Sequence, residues 1–322
     1  MTALEETIGA EGDLLESALA IDVEAAVARI QPARRIWFVG TGTSQHAAEL
    51  AALMFAGADA EVRWASAAGF AWGEPPLGGD DAVLVISHTT ETAFARRARR
   101  RALDAGASVV SITGRGRGWP EAIEAVPPER SETYTASYTA ALVVLARLAA
   151  DLGASNFDPR QLCELPDRVR RAADEGAALL DAPPPRLIAL AGAGPAAVTA
   201  REGALKLREA AGVLAEGYEA EYLLHGSAVP LGADDVLLAV QPGDDRFGLL
   251  EAVAEAASAE GVGMTRVEEP AGLDPLLAQV PLTVRLQALA SRLADDRGAD
   301  PDTVIRGAWA DERMWSIGAP ES

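Results

Sequence analysis

The chain has 322 residues, 49% hydrophobic and 24% charged, which excludes wholesale disorder and fibrous repeats. At ~100–200 residues per domain the length predicts two domains. Apolar stretches such as Ala140–Leu145 stop well short of the ~18–20 residues of a spanning helix, and the first 30 residues carry seven carboxylates and no basic leader. A lone Cys163 forms no internal disulfide, which suits a reducing compartment. The expectation is a soluble, cytoplasmic protein with no membrane partner and no signal peptide.

A net charge of −20 repels phosphate backbones at long range. The one basic run, Arg96-Arg97-Ala-Arg99-Arg100-Arg101, lies inside a helical pattern and reads as a solvated face. Nucleic acid is therefore not an expected partner, whereas small anions stay open as ligands. Of the 28 basic residues, 27 are arginine and one, Lys206, is lysine. Arginine cannot replace a titratable amine, so this lysine is singled out for its chemistry.

In chain order, residues 1–33 read as helical up to Pro32. Arg35–Val39 is a short strand-forming run, followed by Gly40-Thr-Gly-Thr-Ser44 and a helix pattern over 47–55. The grammar repeats with strand Ala82–Ile86, turn Ser87-His-Thr-Thr90, a helix over 91–105, and strand Ala107–Ile112. A long helix over 135–152 follows, then a helix over 159–182 leading into Pro183-Pro-Pro185. The pattern then restarts: strand Arg186–Leu190, turn Ala191-Gly-Ala-Gly-Pro195, helix 197–215, strand Val236–Val240, turn Gln241-Pro-Gly-Asp-Asp245 and a further helix. A polar tail is expected from Arg292 onward. Strands alternating with helices predict parallel sheets covered on both faces. The chain thus reads as two copies of one α/β module, divided as 1–178 and 179–322.

The turns distinguish the copies. Ligands of open α/β sheets bind at the carboxyl ends of strands. There the first copy places Thr41, Thr43 and Ser44 in one turn, and Ser87, Thr89, Thr90 and Thr92 in the next. Helix N-termini favour anions, and hydroxyls add donors that wrap phosphate oxygens. The plain alternative is helix capping, but so many hydroxyls in two adjacent turns favour phosphate. Neither turn is a dinucleotide or P-loop fingerprint. The second copy's turns, 192–195 and 242–245, carry no hydroxyls and one is acidic.

What the second copy has is Arg201-Glu-Gly-Ala-Leu-Lys-Leu-Arg-Glu209, with Glu202, Lys206 and Glu209 on one helix face. His225 follows in Glu221-Tyr-Leu-Leu-His-Gly226. Carboxylate, amine and imidazole together form a set for proton transfer near neutral pH. Spacing alone leaves a second reading equally open, an ion pair with an unrelated loop histidine.

Gly40-Thr-Gly-Thr-Ser44, Ile86-Ser-His-Thr-Thr-Glu-Thr92, Glu202-Gly-Ala-Leu-Lys-Leu-Arg-Glu209 and Leu224-His-Gly226 resemble the four signatures of the tandem sugar isomerase (SIS) domain family. Its members include the isomerase half of glucosamine-6-phosphate synthase and amino-sugar-phosphate deaminase/isomerases. The resemblance spans about residues 35–305. It implies an α/β fold of two tandem SIS domains, each a five-stranded parallel sheet flanked by helices, and a homodimer. Carried over by position, Thr43, Ser44, Ser87, Thr89 and Thr92 match phosphate- and substrate-binding positions. His88 stands where the family usually has Gln facing the sugar phosphate. Glu209 matches the general base working between C1 and C2, Lys206 the active-site lysine, and His225 a ring-opening histidine reaching in from the neighbouring subunit.

Two departures follow. No glutamine amidotransferase domain or leading Cys is present, so glutamine-dependent transfer is not expected. The tail 300–309 lacks the Schiff-base lysine of the synthase, so an imine would have to form on Lys206, the simpler course being a proton shuttle by Glu209. The expected activity is aldose–ketose isomerisation of a hexose or amino-sugar 6-phosphate, with or without ammonia release, and no metal or cofactor. The alternative is a non-catalytic sugar-phosphate sensor or regulatory protein. Which sugar is used stays open.

Overall fold

The structure, a computed structural model, describes residues 1–243 and 245–321. Its elements are α1 (Ala3–Leu19), α2 (Glu24–Ile30), β1 (Arg35–Gly40), α3 (Thr43–Met54), β2 (Glu61–Ser66), α4 (Ala67–Gly73), β3 (Asp81–Ile86), α5 (Ala93–Asp104), β4 (Ser108–Gly114), β5 (Ala122–Val126) and α6 (Ala136–Asp151). The second repeat comprises α7 (Leu165–Gly176), β6 (Leu187–Gly192), α8 (Pro195–Ala211), β7 (Ala215–Glu219), α9 (Ala220–Tyr222), β8 (Asp235–Gln241), α10 (Leu249–Ala259), β9 (Gly263–Glu268), α11 (Gln279–Arg297) and α12 (Glu312–Ser316). All strands pair in parallel, in the orders β2-β1-β3-β4-β5 and β7-β6-β8-β9. The central strands β3 and β6 are buried at every position, as strands covered on both faces must be.

The repeat is visible in backbone geometry. Gly40 and Gly192 end β1 and β6, and a Cβ on either would collide with the main chain of Ser44 or Ala196 four residues on. Gly42 (φ 58°, ψ −126°) and Gly194 (φ 56°, ψ −126°) precede α3 and α8 in a conformation that L side chains rarely adopt. The Gly-x-Gly spacing therefore allows each strand to turn directly into its helix. At the opposite ends of the sheets the copies share a second device. Asp81 takes two hydrogen bonds from Arg35 and one from Gly78 N–H, while Asp235 takes bonds from Arg186 and Gly232 N–H. The guanidinium comes from the first residue of β1 but from the residue before β6.

The fold corrects several expectations. The second sheet has four strands among the described residues rather than five. After β9 the chain runs through Pro270, Gly272 (φ 110°) and Pro275, and prolines cannot donate to a ladder. Residues 1–33 form two helices, and the 159–182 segment starts with a tight turn at Pro159–Glu164 before α7. The polar tail begins only after Arg297, because α11 runs on from Gln279. That helix is buried almost all round, including Gln279, Thr283, Arg285 and Gln287, so it shows no polar face from which to read a helical period.

Two compact units result. One comprises Asp13–Glu129, Ala136–Cys163 and Ile305–Ser322; the other Met1–Gly12, Arg130–Thr135 and Glu164–Val304. Each repeat thus forms the body of one unit, with short segments assigned across the sequential division at 178/179. The first unit has a core of Val39, Phe70, Val83, Val85, Ala95 and Val109 between its sheet and helices. The second has Ala189, Ala191, Leu223, Leu237, Leu250 and Val253.

Candidate active site

In the first unit, β1 and β3 are neighbours, so the turns 41–44 and 87–92 lie side by side at the carboxyl edge of the sheet. Thr43 and Ser44 open α3, and Thr92 precedes α5. Thr92 provides no side-chain cap to α5, and α3 is preceded by Gly42, which has no side chain to cap with. Thr89 Oγ1 accepts from Glu91 N–H (3.2 Å) and Thr90 Oγ1 donates to Thr89 O (2.6 Å). Thr90 sits at φ 63°, an outlier for a β-branched residue and of the kind that collects at ligand clamps. Ser87 is buried, and its Oγ finds no hydrogen-bond partner among the described residues. Such an orphan costs ~1–3 kcal/mol, and an anion's oxygen would satisfy it.

The His88 ring packs over Gly114, where any Cβ would collide with it. Its Nε2 accepts from Glu129 N–H (3.3 Å). Burial holds the imidazole below its ordinary pKa, with Glu129 opposing and Arg117 adding to the effect. The ring is thus held neutral and acts as an acceptor. Glu129 in turn accepts from the N–H groups of Ala136 (3.2 Å) and Ser137 (2.9 Å) at the start of α6. His88 therefore ties the second hydroxyl turn to a helix end. Glu129 lies outside every motif read from the sequence, and its neighbours Pro127-Pro128 signal only a loop.

In the second unit the equivalent turns are unlike these. Pro195 occupies the first turn of α8 and lacks an N–H, and Asp245 caps α10 by accepting from Glu251 N–H (2.9 Å). Asp244, the other carboxylate of that turn, lies outside the described residues. A shallow cleft of about 520 Å³ near Arg35 and Asp81 lies at the amino ends of the first sheet, where those two groups satisfy each other.

The helix α8 carries the titratable set. Pro195 pre-organises its first turn, and Gly212 (φ 60°) ends it with its N–H on Arg208 O. Gly203 and Gly217 let α11 and β7 approach so closely that a Cβ at either would meet Leu286 or the α8 main chain. These contacts bury α8 and, with it, Lys206 at 1% exposure. Lys206 Nζ donates to Glu209 Oε2 (2.6 Å) and lies 3.5 Å from the fully buried Glu202. Glu209 keeps 22% side-chain exposure, so of the two carboxylates it is the one open to an incoming molecule. Burial raises its pKa above the usual carboxylate value, Lys206 pulls it back, and Glu202 adds to the rise. Desolvation wins, a balance that the residue pattern left open.

His225 is exposed and lies in a π-type turn, Leu223–Ser227, ahead of Gly226 at φ 115°. It makes no hydrogen bond or ion pair with the Lys206–Glu209 set among the described residues. Tyr222 (64%), Leu224 (51%) and Val229 (85%) expose apolar surface around it. Among the described residues, no group of His, Cys, Asp and Glu could hold a metal ion, and no helix is long and apolar enough to cross a membrane.

The sequence model of the SIS domain family matches residues 29–119 and 184–265, covering both repeats and more than half of the chain. Glutamine–fructose-6-phosphate aminotransferase (isomerizing) of Chlorobaculum tepidum is 29% identical over 317 residues, covering 85% of this chain and 50% of the relative. That of Methanothermobacter thermautotrophicus is 30% identical over 312 residues, covering 87% and 52%. The chain spans about half the length of these curated relatives. Among solved structures, glucosamine-6-phosphate deaminase from Thermotoga maritima matches with a TM-score of 0.79 at 18% identity, over 96% of this chain and 99% of that one. Tagatose-6-phosphate ketose/aldose isomerase from Escherichia coli matches at 0.77 and 16%, over 95% and 96%. At such identities the structural likeness is one of fold.

Proposed function

We propose that this chain, which belongs to the SIS domain family, is an enzyme that interconverts aldose and ketose forms of a hexose or amino-sugar 6-phosphate. The observation that carries the reading is the Lys206–Glu209 pair, a partly open carboxylate with a raised pKa beside a buried ammonium. Fold alone does not imply activity, and a sensor would need the hydroxyl turns but not a tuned base. In the proposed reaction Glu209 takes the proton from C2 of the aldose and returns it to C1 through an enediol. Lys206 holds the carboxylate in position and supports its charge. Because Lys206 Nζ already faces two carboxylates, a proton shuttle fits it better than an imine. Where the substrate carries a 2-amino group, the same proton transfer leaves an imine at C2, and addition of one water to it breaks the C–N bond to give the ketose and ammonia, a deamination of the kind named for the Thermotoga maritima neighbour.

The phosphate would be held by Ser44, Ser87, Thr89 and Thr92 of the first unit, with Thr43 and His88 shaping the turns. The exposed His225 and its apolar surroundings support a homodimer in which a neighbouring subunit's site receives it, closed two-fold dimers being the commonest assembly. Incubation with a panel of hexose and hexosamine 6-phosphates in deuterated water tests the reaction. NMR should show solvent deuterium at C1 or C2, and no incorporation with any member would leave the sensor reading. Light scattering should report a dimer, and mixing inactive His225→Ala and Glu209→Gln chains should restore part of the activity. An active monomer would remove the trans role.

A further inference from the structure

The loop between β4 and β5, Arg115-Gly-Arg-Gly118, leaves the carboxyl edge of the first sheet next to the turn 87–92, because β3 and β4 are paired neighbours. Ser87 N–H donates to Ile112 O (3.0 Å), and the register Ile86↔Ile112 places Ser87 beside Thr113. Both hydroxyls are buried and without a hydrogen-bond partner among the described residues. Arg117, four residues beyond Thr113, is half-buried, and its Nε is also buried with no partner. Every other arginine that is not solvent-exposed donates to a carboxylate, a side-chain amide or a backbone carbonyl. In a chain with 48 carboxylates against 28 basic residues, a half-buried guanidinium whose Nε has no hydrogen-bond partner and which pairs with no carboxylate among the described residues is an exception.

The loop is anchored on both sides. Arg115 N–H donates to Val126 O (2.8 Å) and Gly116 N–H to Glu124 Oε1 (3.0 Å). Trp119 packs on the core under the Arg99 guanidinium, 4.9 Å from its ring centroid. Gly116 (φ 73°) and Gly118 (φ 75°) flank Arg117 in the left-handed region, so the backbone turns sharply on each side of it. The positive charge of Arg117 is felt at His88, inside the second hydroxyl turn.

From this placement we propose that Arg117 is the charged anchor of the anion site, its guanidinium pairing with the substrate's phosphate dianion beside the hydroxyls of Ser87 and Thr113. The proposal rests on the sugar-phosphate reading above and adds the residue that selects for charge. Hydroxyls and N–H groups donate to phosphate oxygens without carrying a net charge, whereas a planar guanidinium brings a full positive charge and matches a phosphate with two parallel bonds.

The test is calorimetry of inorganic phosphate and of sulfate with the full chain, in wild type, Arg117→Gln, Arg117→Lys and Ser87→Ala, with thermal melts to confirm folding. Arg117→Gln should weaken both anions by roughly ten- to a hundredfold. Arg117→Lys should recover part of the loss, because it restores charge without the fork, and a purely structural role for Arg117 would not give that partial rescue. If Ser87→Ala weakens phosphate while Arg117→Gln leaves it unchanged, the anchor role is overturned and the sugar-phosphate reading stands. If the wild type binds neither inorganic phosphate nor any hexose 6-phosphate, both are overturned.

Discussion

Replacing Glu209 by Gln separates the function of this site from its stability. The side chain keeps its shape and an acceptor for Lys206 Nζ, now 2.6 Å away, but loses the charge that a base requires. Removing a positioned general base typically costs ~10²–10⁴ in rate, equivalent to a barrier increase of about 3–5 kcal/mol. Stability should move the other way. The folded-state pKa of Glu209 is raised because burial outweighs the attraction of Lys206. The neutral form is therefore the one the fold prefers, and ionisation removes stability as pH rises through the raised pKa. A neutral glutamine avoids that cost, so at pH 7 the variant should melt at or above the wild-type temperature while turnover collapses. The same shift predicts that wild-type activity falls with acidification through a pKa above the ordinary carboxylate range. The assay is deuterium incorporation from solvent followed by NMR, alongside calorimetric melts. Turnover within tenfold of wild type, or a clear loss of stability without loss of activity, would refute the reasoning and make Glu209 a structural partner of Lys206.

Lys206→Arg keeps the charge but places a bulkier fork in a site with 1% exposure; activity should be lost and stability should fall by ~1–3 kcal/mol from overpacking, read by NMR assay and denaturant titration. Ser87→Ala removes a hydroxyl that no described residue satisfies; phosphate affinity should drop by ~1–3 kcal/mol in calorimetry, with no decrease in melting temperature. Glu269 is 2% exposed between Arg168 (2.8 Å) and Arg285 (2.5 Å); Glu269→Gln should destabilise the chain by ~3–5 kcal/mol in urea unfolding, leaving the Lys206–Glu209 chemistry intact once folded.

What the sequence determined by itself is what short-range chemistry encodes. The Gly-x-Gly turns were legible because only glycine tolerates φ near 58° with ψ near −126° and the close approach at Gly40 and Gly192. The alternation of strand and helix, the contrast between hydroxyl-bearing and hydroxyl-free turns, and the shared face of Glu202, Lys206 and Glu209 were legible for the same local reason. The edge strands β2, β5, β7 and β9 were not, since their partly exposed positions and the glycines at 217 and 263 give no strand signal until a neighbour supplies hydrogen bonds. Nor was α11, whose buried Arg285 and Gln287 find partners on Glu269, Glu175 and Thr135, all distant in sequence. The tertiary structure alone decided that Ser87 Oγ and Arg117 Nε lie buried with no hydrogen-bond partner among the described residues, and that burial defeats Lys206 in setting the state of Glu209. Each is a matter of which groups water can reach and which others it leaves as neighbours, and those neighbours are assembled from segments far apart in the chain.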